Sequence, residues 1–244
     1  MKRQPQKRKT TSAKAPKKAW TVAVYMAGDN NLDPNALLDL KEMKRVGSSA
    51  EINIVAQLDS ASAGSKTTRY AITKGAAASL VKDAKQKLGN QNTGDPKSLI
   101  DFVTWVAANY PAERYALVLW NHGQGWDDTD IFEDERSGNR RRPRSNAFRH
   151  AFFRTTVEKA AATARHTGAT ARAILIDDNS KDFLDNVEMQ RVAKAAVSKF
   201  GGKIDLFGMD ACLMNQIEVA YQLRKQSEFI VGSELTEPLD GWPL

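Results

Sequence analysis

The chain has 244 residues, of which 41% are hydrophobic and 27% are charged, and its formal net charge is +7. This length suits one domain around a single sizeable core, and the composition is ordinary for a globular protein. A single cysteine cannot form an intrachain disulfide, so a disulfide-stapled fold is excluded.

The positive charge belongs to the N-terminal segment. Residues 1–19 hold eight Lys and Arg residues and no acid, so subtracting eight from +7 leaves −1 for residues 20–244. A segment rich in Lys, Pro, Ser and Thr buries too little apolar surface to fold. We expect a disordered basic tail over 1–19 and one domain over 20–244. A nucleic-acid-binding role would rest on this tail alone and is not expected.

Neither an export signal nor a membrane span is visible in the sequence. Residues 1–19 contain no apolar stretch of signal-peptide length, and no window approaches the roughly 18 apolar residues of a spanning helix. The default expectation is a cytoplasmic protein without a membrane partner.

In the first half of the chain, apolar strands alternate with amphipathic helices. Strands are predicted over 20–28 and 52–59, with a short extra strand over 69–73. Helices are predicted to begin at Asp33-Pro34 and Asp95-Pro96, because proline is favoured in the first turn of a helix. The first helix ends near Gly47, and its predicted apolar side is formed by Leu37, Leu38, Leu40 and Met43.

The second half continues the alternation after an irregular segment. The remaining strands are predicted over 116–120, 173–176, 204–209 and 229–232, and the helices over about 151–166, 180–200 and 213–226. Such alternation predicts an α/β fold with a mainly parallel central sheet and helices on both faces. Functional sites in these folds gather at the carboxyl ends of the strands.

Two predicted strands end in reactive residues. His122 and Gly123 follow the strand over 116–120, and Cys212, the only cysteine, follows the strand over 204–209. A thiol and an imidazole are the parts of a cysteine nucleophile with its base. A helix beginning near Leu213 would lower the thiol pKa, and the Gly123 N–H could bind an oxyanion. Taken singly, Cys212 also fits a small buried core residue, and His122 fits a partly buried histidine with satisfied hydrogen bonds.

Four sequence blocks in order resemble the clostripain family of cysteine peptidases, which are relatives of caspases, legumain, gingipains and separase. The blocks are Trp20 to Leu32, Trp120-Asn121-His122-Gly123, Met209 to Met214 and Glu237 to Pro243. The resemblance covers about residues 20–244. It implies a caspase-like three-layer sandwich, with the histidine as general acid/base and the cysteine as nucleophile.

The resemblance also implies an endopeptidase that cuts protein or peptide substrates after Arg or Lys. Asp210 matches the acid expected in the S1 pocket, where a carboxylate would select a cationic side chain. Asp240 is a second, more loosely aligned S1 acid. The alternative for Asp210 is a capping acid at the following helix.

The segment 127–150 shows neither helix nor strand periodicity and is predicted to be an exposed loop. The family is often cut between histidine and cysteine, and we expect self-cleavage in this loop. The alternative is a solvated basic insertion without a processing role. The candidate cleavage sites are Arg136, Arg140, Arg141, Arg142 and Arg144.

The chemistry requires no cofactor, but the resemblance raises calcium as a candidate ion. No loop has a recognisable calcium-ligand spacing. Asp177 and Asp178 follow a predicted strand and are interpreted first as loop caps, with a calcium site or the prime side of the cleft as alternatives.

Two other classes of function fit the sequence less well. Relatives usually continue beyond the point that matches Leu244, so a truncated homologue without activity, acting as a binding or scaffold protein, is the alternative to an active peptidase. A nucleotide-binding enzyme is disfavoured because no glycine-rich phosphate loop follows any predicted strand.

Overall fold

The computed structural model describes residues 17–64, 66–75, 79–125, 173–238 and 241–243. Its strands are β1 (Lys18–Gly28), β2 (Ile52–Ser60), β3 (Lys66–Ala71), β4 (Ala84–Gly89), β5 (Ala112–Trp120), β6 (Ala173–Asp177), β7 (Asp182–Asp185), β8 (Ile204–Asp210) and β9 (Ser227–Gly232). Its helices are α1 (Asp33–Val46), α2 (Pro96–Asn109), α3 (Asn186–Phe200) and α4 (Ile217–Leu223). None of these helices is long and apolar enough to cross a membrane.

Several predicted features lie outside the described residues. They are residues 1–16 of the predicted tail, the processing loop over 127–150 with its five arginines, the helix over 151–166, and Asp240.

Seven strands form the central sheet in the order β4-β3-β2-β1-β5-β8-β9. In this order, β2, β1, β5, β8 and β9 each pair in parallel with their neighbours among these five strands. Strands β3 and β4 extend the sheet beside β2 and pair antiparallel. The predicted mainly parallel sheet is confirmed. Parallel pairing brings the carboxyl ends of β1, β5 and β8 to the same edge of the sheet.

Helices cover both faces of this sheet, as predicted. Alternate residues of β1 point to opposite faces, so Ala23 and Tyr25 lie in one apolar cluster while Val24 and Met26 lie in the other. Helix α1 packs on the second cluster through Ala36, Leu40 and Met43. The first cluster contains the buried sides of α2, α3 and α4.

The buried side of α1 differs from the predicted one. Leu38 is 56% exposed, and Ala36 lies in the core instead. The spacing of Ala36, Leu40 and Met43 places all three on one face of the helix. The leucines at positions 37, 38 and 40 obscured this face in the sequence.

Residues 173–185 also depart from the sequence prediction. Strand β6 forms where predicted, but it pairs antiparallel with β7 in a separate two-stranded sheet. Because Asp182–Asp185 forms β7, the helix predicted from residue 180 begins only at Asn186. Asp185 and Glu188 form a reciprocal capping box at this helix end, which fixes the later start.

Candidate active site

The register of β5 and β8 brings the predicted histidine and cysteine together. Trp120 pairs with Asp210, and the Asn121 N–H donates to the Asp210 carbonyl oxygen at 3.2 Å. His122 and Cys212 each lie two residues beyond this pair. Both side chains line one pocket. Residues 90 positions apart in the chain thus face the same cleft at the carboxyl edge of the sheet.

His122 is held from the loop that follows β1. Its Nε2 lies 3.0 Å from Asn31 Oδ1. An amide oxygen only accepts hydrogen bonds, so this contact places the imidazole proton on Nε2 and leaves the lone pair on Nδ1. Burial lowers the pKa of His122 to about 4, so the ring is neutral at neutral pH.

Hydrogen bonds of asparagine side-chain amides connect the loop after β1 to the end of β5 and to β6. The Asn30 amide donates to the carbonyl oxygens of Ala27 at 2.9 Å and Ile176 at 2.8 Å. Asn121 also donates to Ala27, and its Oδ1 accepts from the Ile176 N–H at 2.8 Å. The ends of β1, β5 and β6 are therefore cross-linked directly beside His122. Sequence reasoning did not assign these asparagines, although each adjoins a motif residue.

Cys212 lies in a turn and not at the start of a helix. The chain turns over residues 211–216, Leu213 has a φ of 65°, and α4 begins only at Ile217. The prediction that a helix N-terminus lowers the thiol pKa is therefore wrong. Burial raises the pKa of Cys212, and the nearby charge of Glu237 adds to this, although a hydrogen bond from the Glu237 N–H opposes it.

Gly123 packs directly against the backbone of the cysteine loop. A Cβ at this position would lie 2.4 Å from the Cys212 carbonyl oxygen and 2.6 Å from Met214 Cγ. Only glycine permits this approach without displacement of the loop. The predicted oxyanion residue is therefore adjacent to the cysteine.

Asp210 is buried and lines the same pocket as His122 and Cys212. Its Oδ2 accepts a hydrogen bond from the Trp242 N–H at 3.2 Å. The alternative interpretation as a helix cap is wrong, since the N-cap of α4 is Gln216. The pKa of Asp210 is raised to about 7, chiefly by burial and also by the carboxyl group of Glu237, against the opposing hydrogen bond from the Trp242 N–H.

Glu237 is a pocket residue that sequence reasoning missed. Its N–H donates to Cys212 Sγ at 3.2 Å, and its Oε1 accepts from Trp242 Nε1 at 3.0 Å. The segment around it pairs with the cysteine loop, since the Leu213 N–H donates to the Leu235 carbonyl oxygen at 2.9 Å. The sequence did contain one signal for Glu237, which is the first residue of the fourth block that resembles the family.

Three buried aspartates gather outside this pocket. One carboxylate oxygen from each of Asp29, Asp59 and Asp177 lies within 4.8 Å of the others. Asp177 also caps loops, as predicted, because it accepts from the Ser180 N–H at 2.7 Å and the Thr93 N–H at 3.0 Å. Burial raises the pKa of Asp59 to about 7, with the charges of Asp177 and Asp29 adding and a Thr67 hydrogen bond opposing. Asp178 is not a member of this group.

The mainly parallel sheet, with His122 and Cys212 beyond the ends of adjacent strands, agrees with the caspase-like α/β fold that the sequence resemblance implies. The sequence model of the clostripain family matches residues 24–137 and 160–244. The chain belongs to this family, and the resemblance found in the sequence is confirmed.

Known proteins with similarity to the chain agree with this assignment. Clostripain of Hathewaya histolytica is 29% identical over 227 residues, which are 84% of this chain and 36% of that protein. A secreted cysteine protease of Bacteroides thetaiotaomicron, solved with an irreversible peptide inhibitor, superposes with a TM-score of 0.63 and 23% identity, covering 93% of this chain and 51% of that one. An inactive zymogen from Parabacteroides distasonis has a TM-score of 0.60 and 24% identity, covering 93% and 52%.

These structures share the fold of the chain. The chain spans about a third of the curated relative and about half of the solved relatives.

Proposed function

We propose that the chain is a cysteine endopeptidase that cleaves after Arg or Lys, with Cys212 as nucleophile and His122 as general acid/base. The observation that carries the proposal is the β5–β8 register, which brings both side chains into one pocket at the carboxyl edge of the sheet. Membership of the clostripain family supports the same chemistry.

The protonation states define how the reaction begins. The thiol pKa is raised and the imidazole pKa is lowered, so the resting pair is neutral. His122 Nδ1 takes the thiol proton as the sulfur attacks the scissile carbonyl carbon. The Asn31 oxygen meanwhile keeps the Nε2 proton in place. The imidazolium then gives its proton to the leaving amine, and a water activated by His122 hydrolyses the thioester.

Gly123 is the proposed oxyanion donor of this reaction. Two observations support this role: Gly123 directly follows His122 in the chain, and its backbone lies against the Cys212 carbonyl. A fixed backbone donor stabilises the negative charge that develops on the carbonyl oxygen without reorganising during the reaction.

The proposed S1 pocket is acidic. Asp210 and Glu237 both line the cleft beside Cys212, and a bound guanidinium or ammonium would stabilise their ionised forms. Asp240 stays a prediction as a further S1 acid. Two carboxyl groups in a partly enclosed pocket favour Arg or Lys over neutral or acidic P1 residues.

Fluorogenic peptides with Arg, Lys or Asp at P1 test the proposal. Hydrolysis of the Arg and Lys peptides is expected, with activity lost in Cys212→Ala and in His122→Ala. A preference for Asp would overturn the S1 assignment. If a peptidyl-Arg acyloxymethyl ketone leaves Cys212 unlabelled while the circular dichroism spectrum is that of a folded protein, the inactive scaffold is favoured instead.

Self-processing belongs to the same proposal. Five arginines between residues 136 and 144 provide substrate-like sites between His122 and Cys212 in the chain. The purified chain is expected to yield two fragments, whereas Cys212→Ala stays intact. Two fragments from both preparations would contradict self-cleavage.

A further inference from the structure

We propose that Trp242 is a positioning residue of the S1 pocket, where its two N–H groups hold Asp210 and Glu237 in place to receive the cationic side chain of P1. The inference rests on the proposed function, since it assigns a role within the same pocket. The Trp242 backbone N–H donates to Asp210 Oδ2 at 3.2 Å, and its indole Nε1 donates to Glu237 Oε1 at 3.0 Å. One residue therefore contacts both acids that line the cleft.

Two neighbouring acids withdrawn from water need such donors. Asp210 is 4% exposed, and Glu237 is half-buried. Ionised carboxylates in these surroundings repel each other and lose part of their hydration. In the described part of the chain, each of the two carboxyl groups accepts an N–H hydrogen bond from Trp242 alone, and neither forms an ion pair with a lysine or arginine.

A neutral donor suits this place better than a cation would. The N–H groups of Trp242 stabilise an ionised carboxylate by hydrogen bonding but leave its charge uncompensated. The acids therefore keep their negative charge for a ligand. A guanidinium or ammonium group that enters the pocket supplies the missing counter-charge, whereas a neutral side chain does not. Trp242 should thus affect the binding of Arg or Lys at P1 much more than the binding of an uncharged residue.

The indole ring is itself held against the central sheet. A Cβ on Gly208 would lie 3.1 Å from Trp242 Cζ3 and 3.1 Å from Val118 Cγ2, so the ring lies directly on the backbone of β8 beside β5. A larger residue than glycine would crowd the ring at this point. The ring also packs against the apolar cluster that contains Val118 and Trp120. These contacts fix the direction of the indole N–H before a substrate arrives, so the donor need not reorganise on binding.

The backbone before Trp242 approaches Asp210 just as closely. Gly241 has a φ of 57°, and a Cβ there would lie 3.0 Å from Asp210 Oδ1. Glycine therefore permits the close approach that the Trp242 backbone hydrogen bond requires. The Gly241 N–H donates to the Pro238 carbonyl oxygen at 3.0 Å, which connects this end of the segment to the residue that follows Glu237.

The test measures ligand binding by the full chain carrying Cys212→Ala, which lacks the proposed nucleophile. Calorimetric titration compares two acetylated tripeptide amides, one with Arg and one with norleucine as the last residue. The Arg peptide should bind about 10-fold more tightly or better. Trp242→Phe keeps an aromatic ring and the backbone N–H but lacks the indole N–H. Its affinity for the Arg peptide should fall about 5- to 30-fold, with the norleucine affinity unchanged. Trp20→Phe, at the opposite end of β1 from the pocket, is the control and should keep both affinities.

A double-mutant cycle assigns the effect to Glu237. Glu237→Ala should also lower the affinity for the Arg peptide, and adding Trp242→Phe to it should cause no further loss, because the acceptor of the indole N–H is gone. A full additional loss in the double variant would refute positioning through Glu237. If Trp242→Phe does not fold, benzothienylalanine at position 242 takes its place with the same expectation, since it keeps the shape of the ring and replaces only the N–H by sulfur.

The outcomes separate this inference from the proposed function. If the Cys212→Ala chain binds both peptides equally well, or binds neither, the acidic S1 pocket itself is refuted and the inference with it. If that chain prefers the Arg peptide and Trp242→Phe keeps the preference, only the role of Trp242 is refuted. Equal losses of affinity for the two peptides in Trp242→Phe would make Trp242 a wall of the pocket without a positioning role and would likewise overturn the proposal.

Discussion

At the scale of single residues, His122 and Cys212 occupy surroundings that favour their uncharged forms. Burial lowers the pKa of the imidazole to about 4 and raises the pKa of the thiol. A preformed thiolate–imidazolium pair is therefore not the resting state. In the proposed reaction, proton transfer therefore accompanies the attack of the sulfur, which makes the orientation of the imidazole decisive.

Asn31→Ala tests this dependence on orientation. The variant loses the acceptor that holds His122 Nε2, so the ring can rotate and present the wrong nitrogen to the thiol. We expect kcat to fall about 10- to 100-fold on an Arg peptide, with little change in KM. An unchanged kcat would contradict the role. Asn35→Ala, in α1 and outside the pocket lining, is the control and should keep both constants.

The proposed S1 role of Asp210 predicts how cleavage after Arg should depend on pH. Its pKa is raised to about 7, so the carboxyl group is neutral below that pH and ionised above it. The value of kcat/KM on Arg peptides should therefore rise through about pH 7. In Asp210→Asn this limb should vanish, and kcat/KM at pH 8 should fall about 30-fold or more. A norleucine P1 peptide, which carries no charge, should lack the limb in both proteins; a limb near pH 7 for that peptide would assign it to another group.

Gly123→Ala tests the close packing beside the nucleophile. The added methyl would overlap the Cys212 carbonyl and Met214, so the cysteine loop must move. We expect the free energy of unfolding to fall by about 1–3 kcal/mol and labelling of Cys212 by a peptidyl-Arg electrophile to slow strongly. Chemical denaturation and mass spectrometry measure the two effects. Gly202→Ala, where a Cβ meets nothing within 4 Å, should leave labelling unchanged.

At the scale of elements, α3 depends on a capping box. Asp185 Oδ1 accepts from the Glu188 N–H at 2.7 Å, and Glu188 Oε2 accepts from the Asp185 N–H at 3.3 Å. Asp185→Ala should lower the free energy of unfolding by about 1 kcal/mol. Asp185→Asn should stay close to the parent because asparagine caps equally well. Thermal melts compare the three chains, and equal melting of Ala and Asn variants would exclude the cap as the cause.

The elements also show what sequence patterns can and cannot provide. The buried strands β1, β5 and β8 were predicted from the sequence. An apolar run next to polar turn residues indicates such a strand even when its pairing partners in the sheet are not known. The hairpin of β6 and β7 was not predicted, since Asp182–Asp185 becomes a strand only by pairing with β6. The start of α4 was misplaced by four residues because the backbone between Cys212 and Ile217 is fixed by contacts to residues 233–235.

Part of the candidate site, like part of the fold, was predictable from the sequence. His122, Gly123, Asp210 and Cys212 lie at strand ends, where topology alone brings them to one edge. Asn31, Glu237 and the aspartate group depend on how loops fold back after the strands. Such contacts carry no spacing rule in the sequence, so only the folded chain reveals them.

At the scale of the whole molecule, the segments before and after residues 126–172 share one core. Leu117 and Leu119 from β5 lie in the same apolar cluster as Phe207 and Met209 from β8, and the two strands pair in parallel register. We therefore expect that covalent continuity between His122 and Cys212 is not needed to keep the two halves of the chain together. Burial of this shared apolar surface should outweigh the entropy gained by separation.

Limited trypsin treatment of the Cys212→Ala variant tests whether the two halves stay together. Cuts in this variant cannot arise from self-cleavage, because it lacks the proposed nucleophile. Cleavage among the arginines at 136–144 should give two fragments that elute as one peak in native gel filtration and as two in guanidinium chloride. The nicked chain should keep the circular dichroism spectrum of the intact one, since the sheet order depends on pairing and not on the connection. Separation of the fragments in native buffer would show that the connection, and not the shared core, holds the two halves of the site together.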